Sequence, residues 1–235
     1  MQIAILLYPG VTALDAVGPW EILWRIPGAE VRFVSTQVGP VVAEGNVLLL
    51  GVTHSLSETP RPDVLLIPGG PTTAVEMIDD ELLAWLRVAH LTSRWTTSVC
   101  TGSLILGAAG ILKGVSATTH WHYRKTLRIL GAKVAPNKRI AENGNIVTAA
   151  GVTAGIDLAL WLASVIAGQE MAEAIQLAIE YDPRPPFDAG NTSKASEKVR
   201  RLARRMLDER LPVNQKRIVA KIAWRRLTDF IRTGR

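Results

Sequence analysis

The sequence predicts an α/β fold built around a mostly parallel sheet with helices packed on it. Short runs of β-branched and aliphatic residues alternate with longer segments of helical apolar spacing, as strand–helix repeats do. Most strand-like runs are continuously apolar, which suits strands covered on both faces. Of the 235 residues, 48% are hydrophobic, enough for a sizeable core.

In order, "IAILLY" (3–8) reads as a buried strand; with no basic leader or cleavage-like site it is not expected to be a secretion signal. "GPWEILWRI" (18–26) reads as a helix, "VRFVST" (31–36) as a strand, and "VVAEGNVLLLG" (41–51) as an antiparallel hairpin around its turn residues. "VLLIP" (64–68) is a strand ending in Gly69 and Gly70, followed by the helical segment "DDELLAWLRVAHLTS" (79–93). "TTSVC" (96–100) is a strand that runs straight into the small-residue helix "TGSLILGAAGIL" (101–112). "HWHYRKTLRIL" (120–130) is helical, "RIAENGNIVTAAG" (139–151) a second hairpin, and 153–168 and 170–181 two further helices.

The prolines in "DPRPPFDAGNTSKAS" (182–196) stop any helix, so this stretch is an arm or linker. Beyond it, Val199, Leu202, Met206 and Leu207 fall on one face of an amphipathic helix. Ile218, Ile222, Trp224, Leu227 and Ile231 do so more loosely on a second. The chain therefore divides into an α/β domain (1–190) and a basic helical extension (191–235). From Lys194 onward 14 Lys/Arg stand against 4 Asp/Glu, so the net charge of +6 belongs to the extension and the rest is mildly acidic. Such a tail suits phosphate contact, yet basic amphipathic helices mostly pack by one face and solvate the other. Nucleic acid is therefore an unfavoured partner. No uncharged apolar run reaches the roughly 18 residues of a membrane span. The single cysteine excludes an internal disulfide and suggests a reducing compartment. Cytoplasmic localisation is the expectation.

That cysteine, Cys100, sits at a strand-to-helix corner. In parallel sheets, sites form at the carboxyl ends of strands. The first N–H groups of the following helix lack internal partners and favour negative charge. A lowered thiol pKa is therefore expected, with the same N–H groups able to stabilise charge on an adduct. Gly102 and Ser103 are expected to keep the turn tight and leave room for substrate. A cysteine buried as a small hydrophobe is the competing reading. Gly69 and Gly70 allow close backbone approach, so an N–H there can face the same crevice; a plain turn is the alternative. Asp15 and Glu21 follow the first strand, and an acid beside a thiol can hold its proton. Asp15 also suits a cap for a helix starting near Gly18, and Glu21 a solvated face. His120 and His122 form an H-x-H pair, but no third ligand has metal-site spacing nearby. A histidine near the thiol or a packed histidine is favoured over zinc. Trp20 or Trp121 adjoins a motif and is a candidate pocket wall.

"SVCTGSLILGAAGIL", "ATTHW", "LDAVGPWEIL", "LLIPGG" and "AGVTAGIDLAL" together resemble the ThiJ/PfpI superfamily, with its class I glutamine-amidotransferase-like fold. Within it the match is to the bacterial isonitrile hydratase branch, and "IQLAIEYDPRPPFDAG" resembles the arm of that branch. The similarity runs from about residue 2 to about 190. It implies a doubly wound, flavodoxin-like sheet, usually in a homodimer, with a small-molecule substrate and neither metal nor organic cofactor. It implies Cys100 as nucleophile, and Asp15 and Thr101 as residues required for isonitrile hydration. Asp15 is the shorter acid of that branch, where deglycase types carry Glu. Glu21 falls in a structural part of the motif. His120 matches a histidine of the deglycase types and ranks below the other three, beside Gly69 and Gly70 as a binding or oxyanion element. A hydro-lyase converting isonitriles to N-substituted formamides is the expected activity. A glyoxalase or deglycase acting on 2-oxoaldehydes is the runner-up. A redox- or ligand-sensing module without catalysis is a third reading. The helix-turn-helix pair of the regulator branch does not fit in the roughly 42 residues beyond the core.

Overall fold

The computed structural model describes residues 1–210, 217–220 and 222. In chain order the strands are β1 (Gln2–Leu6), β2 (Glu30–Ser35), β3 (Gly39–Val42), β4 (Leu49–Val52), β5 (His54–Ser55), β6 (Val64–Ile67), β7 (Trp95–Ser98), β8 (Ser116–Ala117), β9 (Lys133–Val134), β10 (Ile140–Asn143) and β11 (Ile146–Ala149). The helices are α1 (Ala13–Leu23), α2 (Thr73–Glu76), α3 (Asp80–Thr92), α4 (Gly102–Ala108), α5 (Arg124–Ile129), α6 (Ala154–Ala167), α7 (Gln169–Ala178) and α8 (Glu197–Asp208).

Seven strands form one sheet in the order β10-β11-β7-β6-β1-β2-β5, all parallel except the edge strand β10. The sheet is doubly wound: from β1 the chain steps to β2 on one side, then crosses to β6 on the other. α1 packs on α6, and α3 on α4, so that β6 and β11 are buried at every position. Ile3, Ile5, Leu65, Leu66 and Val147 sit at its centre with no exposed surface. The two expected hairpins form as β3–β4 and β10–β11, both antiparallel.

The reversal of strand order places a crevice at the carboxyl ends of β1, β6 and β7, where open α/β sheets bind ligands. The segment following each of these strands carries one part of the candidate site. One boundary differs from the sequence expectation and matters here. α1 begins at Ala13, not near Gly18, and holds Pro19 in its interior. Tight packing on α6 offsets the loss of helix geometry at proline: Gly18 abuts Ile156, and Pro19 abuts Gly155. Asp15 consequently stands in the first turn of α1 and caps nothing.

α8 forms as expected, capped by Ser196, whose Oγ accepts from Val199 N at 3.3 Å. Its apolar stripe is only partly covered: Val199, Leu202 and Met206 are 43%, 56% and 51% exposed. Further on, Ile218 and Ile222 are buried in the core; Trp224, Leu227 and Ile231 lie outside the described residues. Among the described residues no helix is long and apolar enough to cross a membrane.

Candidate active site

Cys100 occupies the corner between β7 and α4 with φ 57°, a left-handed backbone that side chains other than glycine rarely adopt. Such a conformation costs on the order of 1–3 kcal/mol and persists where its surroundings enforce it. Here they do. Cys100 N donates to Ala150 O at 2.7 Å, and its carbonyl accepts from Thr119 Oγ1 at 2.9 Å and Ser103 Oγ at 3.2 Å. Gly102 lets the turn pass beneath β6: a Cβ there would lie 1.9 Å from Ile67 O. Gly102 thus makes room for backbone, and Ser103 ties down the corner; neither opens space for substrate as the sequence suggested.

Asp15 is wholly buried. Its Oδ2 accepts from Gly69 N at 2.9 Å. Thr101 Oγ1 accepts from Gly70 N at 2.9 Å and lies 2.8 Å from Thr73 Oγ1. Tyr8 backs this cluster, its hydroxyl donating to Pro68 O at 3.1 Å. Gly69 is the hinge of the arrangement: a Cβ would fall 2.4 Å from Thr101 Oγ1 and 3.1 Å from Asp15 Oδ2. The N–H groups of Gly69 and Gly70 therefore orient Asp15 and Thr101 rather than face an open crevice.

Burial pushes Asp15 up from 3.8 to about 7; the Gly69 N–H opposes this, the nearby Glu44 charge adds to it, and the Cys100 thiol opposes it. Asp15 Oδ1 is buried without a well-formed hydrogen bond, which leaves burial dominant. The Cys100 thiol is also raised, well above its ordinary range, first by burial and then by the Asp15 charge. N–H groups of Thr101 and Val152 and the Thr101 hydroxyl pull the other way without winning. The expectation of a lowered thiol pKa is therefore corrected: with Cys100 only 6% exposed, desolvation outweighs the donors at the helix start.

Cys100, Thr101, Gly70 and His120 line one cavity of about 140 Å³, with Thr12, Glu44, Tyr123 and Val152 around them. Burial, and then the charges of His122 and Arg124, lower His120 to about 4, so its ring is neutral at neutral pH. Its Cδ2 lies against Gly151, where a Cβ would come within 2.9 Å. Glu21 is elsewhere, paired with Arg25 at 2.7 Å on the surface. Neither tryptophan lines this cavity: Trp20 stacks on Trp24 at 6.2 Å, and Trp121 lines a neighbouring one.

The sequence reading missed Glu44, whose Oε2 accepts from Thr12 Oγ1 at 2.9 Å, because a charged residue in a hairpin turn is ordinary. It also missed the Val152 N–H at the thiol, although "AGVTAG" resembles the kind of small-residue turn that opens a helix. Thr73 and Arg210 carried no signal, and Leu207 signalled only the apolar face of a helix, not a place at this site.

A strained cysteine at a strand-to-helix corner, with a buried acid beside it at the carboxyl ends of a doubly wound sheet, defines a class of α/β protein with a nucleophile elbow. The chain belongs to the DJ-1/PfpI family, whose sequence profile matches residues 1–164. It is 42% identical over 199 residues to an isonitrile hydratase of Pseudomonas putida, covering 85% of this chain and 86% of that one. A solved ThiJ/PfpI family protein from Pseudomonas syringae superposes with a TM-score of 0.87 at 38% identity, over 94% of this chain and 90% of that one. Drosophila melanogaster DJ-1beta shares the fold, with a TM-score of 0.69 at 20% identity over 76% of this chain and 97% of that one.

Proposed function

We propose that the chain is a hydro-lyase that adds water to an isonitrile, R–N≡C, and releases the N-substituted formamide, with Cys100 as nucleophile. The observation that carries the reading is the buried acid beside the thiol: Asp15 fixed by Gly69 N at 2.9 Å, its charge coupled to Cys100. The 42% identity to the Pseudomonas putida isonitrile hydratase supports it.

The chemistry follows from one shared proton. A thiol beside a carboxylate and a thiolate beside a carboxylic acid have the same total charge and differ only in where that proton lies. Because burial disfavours both anions, the pair holds its single negative charge as Asp15 carboxylate, and the thiolate forms only during attack. Sulfur bonds to the isonitrile carbon as its proton passes through Asp15 to that carbon, giving a thioimidate, R–N=CH–S–Cys100. Asp15, again ionised, takes a proton from water as the water oxygen bonds to the same carbon, and that proton goes to nitrogen. The resulting adduct, R–NH–CH(OH)–S–Cys100, loses its hydroxyl proton to Asp15 and its sulfur as thiolate. The formamide leaves and the proton returns to sulfur. N–H groups of Thr101 and Val152 hold the sulfur charge as it appears and disappears, and Thr101 fixes the loop that carries Gly70. Splitting one hard addition into two easier ones is the general gain from a nucleophile.

The glyoxalase or deglycase reading leans on His120, and a ring lowered to about 4 is a weak proton acceptor at neutral pH. Homodimer assembly belongs to the same proposal. The hairpin tip, where Val47, Leu48 and Leu49 are 90%, 50% and 61% exposed, offers apolar surface for it. The test is turnover of cyclohexyl isocyanide, read as N-cyclohexylformamide by mass spectrometry, with methylglyoxal run in parallel. Formamide is expected from the native chain and none from Cys100→Ala. Retained turnover in that variant ends the mechanism, and methylglyoxal consumption alone moves the assignment to the runner-up.

A further inference from the structure

α8 does not merely trail behind the domain. Leu207 and Arg210 line the same cavity as Cys100. Arg210 Nη1 faces Glu44 Oε1, another lining residue, at 3.7 Å. Between Leu207 and Arg210 in sequence, Asp208 Oδ1 meets His122 Nε2 at 2.9 Å, and one turn before Leu207, Arg204 lies over the Trp121 ring at 5.9 Å. Arg200 Nη1 donates to Thr192 O at 3.1 Å, tying the start of the helix to the arm that precedes it. Beyond the helix, Ile218 and Ile222 return to the core. The helix is thus anchored before and after; its first turns meet the arm and Trp121, and its end meets the cavity. None of its own residues is buried, so core packing does not explain where it lies.

We infer that α8 is a wall of the active-site cavity and that Leu207 is a specificity-determining residue, limiting the substrate to a compact, uncharged R group. Two observations set that limit. The cavity holds about 140 Å³, close to the ~150 Å³ that accommodates a single benzene ring and well under the roughly 300–1,000 Å³ of pockets for drug-sized ligands. Its one lining carboxylate, Glu44, is already engaged by Thr12 and Arg210. A carboxylate on R has to displace Glu44 from Arg210, and a cation on R has to displace Arg210 from Glu44, so among the described residues neither charge finds a free counter-ion. Beside the polar groups of Thr12, Thr101 and His120, the apolar part of the wall, Pro71, Val152 and Leu207 with the Tyr123 ring, suits hydrocarbon. Removing Leu207 opens the cavity toward solvent on the helix side, where the next residues are exposed.

The identity of the substrate rests on the hydratase proposal; the wall does not. Because Cys100 is the only cysteine in the chain, alkylation followed by intact mass reports its accessibility alone. The full chain is treated with iodoacetamide and with N-(1-naphthyl)maleimide, and the ratio of the two rates is compared between native protein and Leu207→Ala. The variant is expected to gain at least tenfold toward the bulky reagent, the discrimination that a change of one or more methylenes in an apolar pocket brings. Leu207→Trp is expected to move the ratio the other way. An unchanged ratio in both variants overturns the inference. The same ratio is then read in turnover, as kcat/KM for naphthyl against cyclohexyl isocyanide. A shifted alkylation ratio with no isonitrile turnover in any form ends the hydratase proposal and leaves the wall standing. Turnover with both ratios unmoved ends the wall and leaves the hydratase.

Discussion

Replacing Asp15 by Asn separates the catalytic carboxyl from the fold that buries it. Asn has the same shape, keeps an oxygen for the Gly69 N–H, and carries no charge at any pH. In the native chain the carboxyl titrates near 3.8 when unfolded and at about 7 when folded. The folded state therefore holds the Asp15 proton more tightly. Its contribution to stability is complete below about pH 4 and is lost as pH climbs through about 7. A gap of about 3 units is worth about 4 kcal/mol at ~1.4 kcal/mol per unit. That is an upper bound, since water entering near the ion lessens the penalty. Urea unfolding of native protein and Asp15→Asn, followed by circular dichroism between pH 4.5 and 8, measures it. The variant is expected to gain on the native chain by about 3 kcal/mol across that range, or ~10 °C in Tm at 2–4 °C per kcal/mol for a chain of this size. Groups remote from Asp15 act alike in both proteins and cancel, and the Cys100 thiol, pushed up by burial and by the Asp15 charge, stays protonated across this range. Parallel stability curves refute the claim that Asp15 is ionised against its burial. Formamide production should vanish in the same variant.

The shared-proton mechanism predicts that kcat/KM rises about tenfold per pH unit below neutrality and levels off near pH 7, as the pair loses its first proton; a flat profile from pH 5 to 8 excludes it. Gly102→Ala forces a methyl group to 1.9 Å from Ile67 O, a clash with backbone that cannot rotate away. It should cost about 3 kcal/mol or more, seen as a lower urea midpoint; a native-like midpoint shows that the elbow is not as tightly seated on β6 as the geometry requires.

The layered architecture was legible because its signals are local. Continuous apolar runs such as "VLLIP" have one economical use, as strands covered on both faces. A cysteine between a strand and a small-residue helix marks the elbow by composition alone, and Cys100 indeed occupies it. Boundaries depended on partners the sequence does not show. Local rules put the start of α1 near Gly18; the fit of Gly18 and Pro19 against α6 overrides them, and that shift removes the alternative reading of Asp15 as a helix cap. The thiol was misjudged for a similar reason. Helix-start donors are readable from sequence order, whereas desolvation depends on what the rest of the chain stacks above the sulfur.

By itself, the sequence determined the main strands and helices, though not the short β5, β8, β9 and α2, and which three strand ends carry the cysteine, the paired glycines and the acid. Those choices follow from periodicity and turn chemistry over a few residues. Only the tertiary structure decided how these parts face one another: that Gly69 holds Asp15, that Gly70 holds Thr101, that burial raises both the acid and the thiol, and that α8 closes the cavity through Leu207 and Arg210. Electrostatic and steric effects act through space, between residues as far apart as Glu44 and Arg210, and no local pattern encodes that distance.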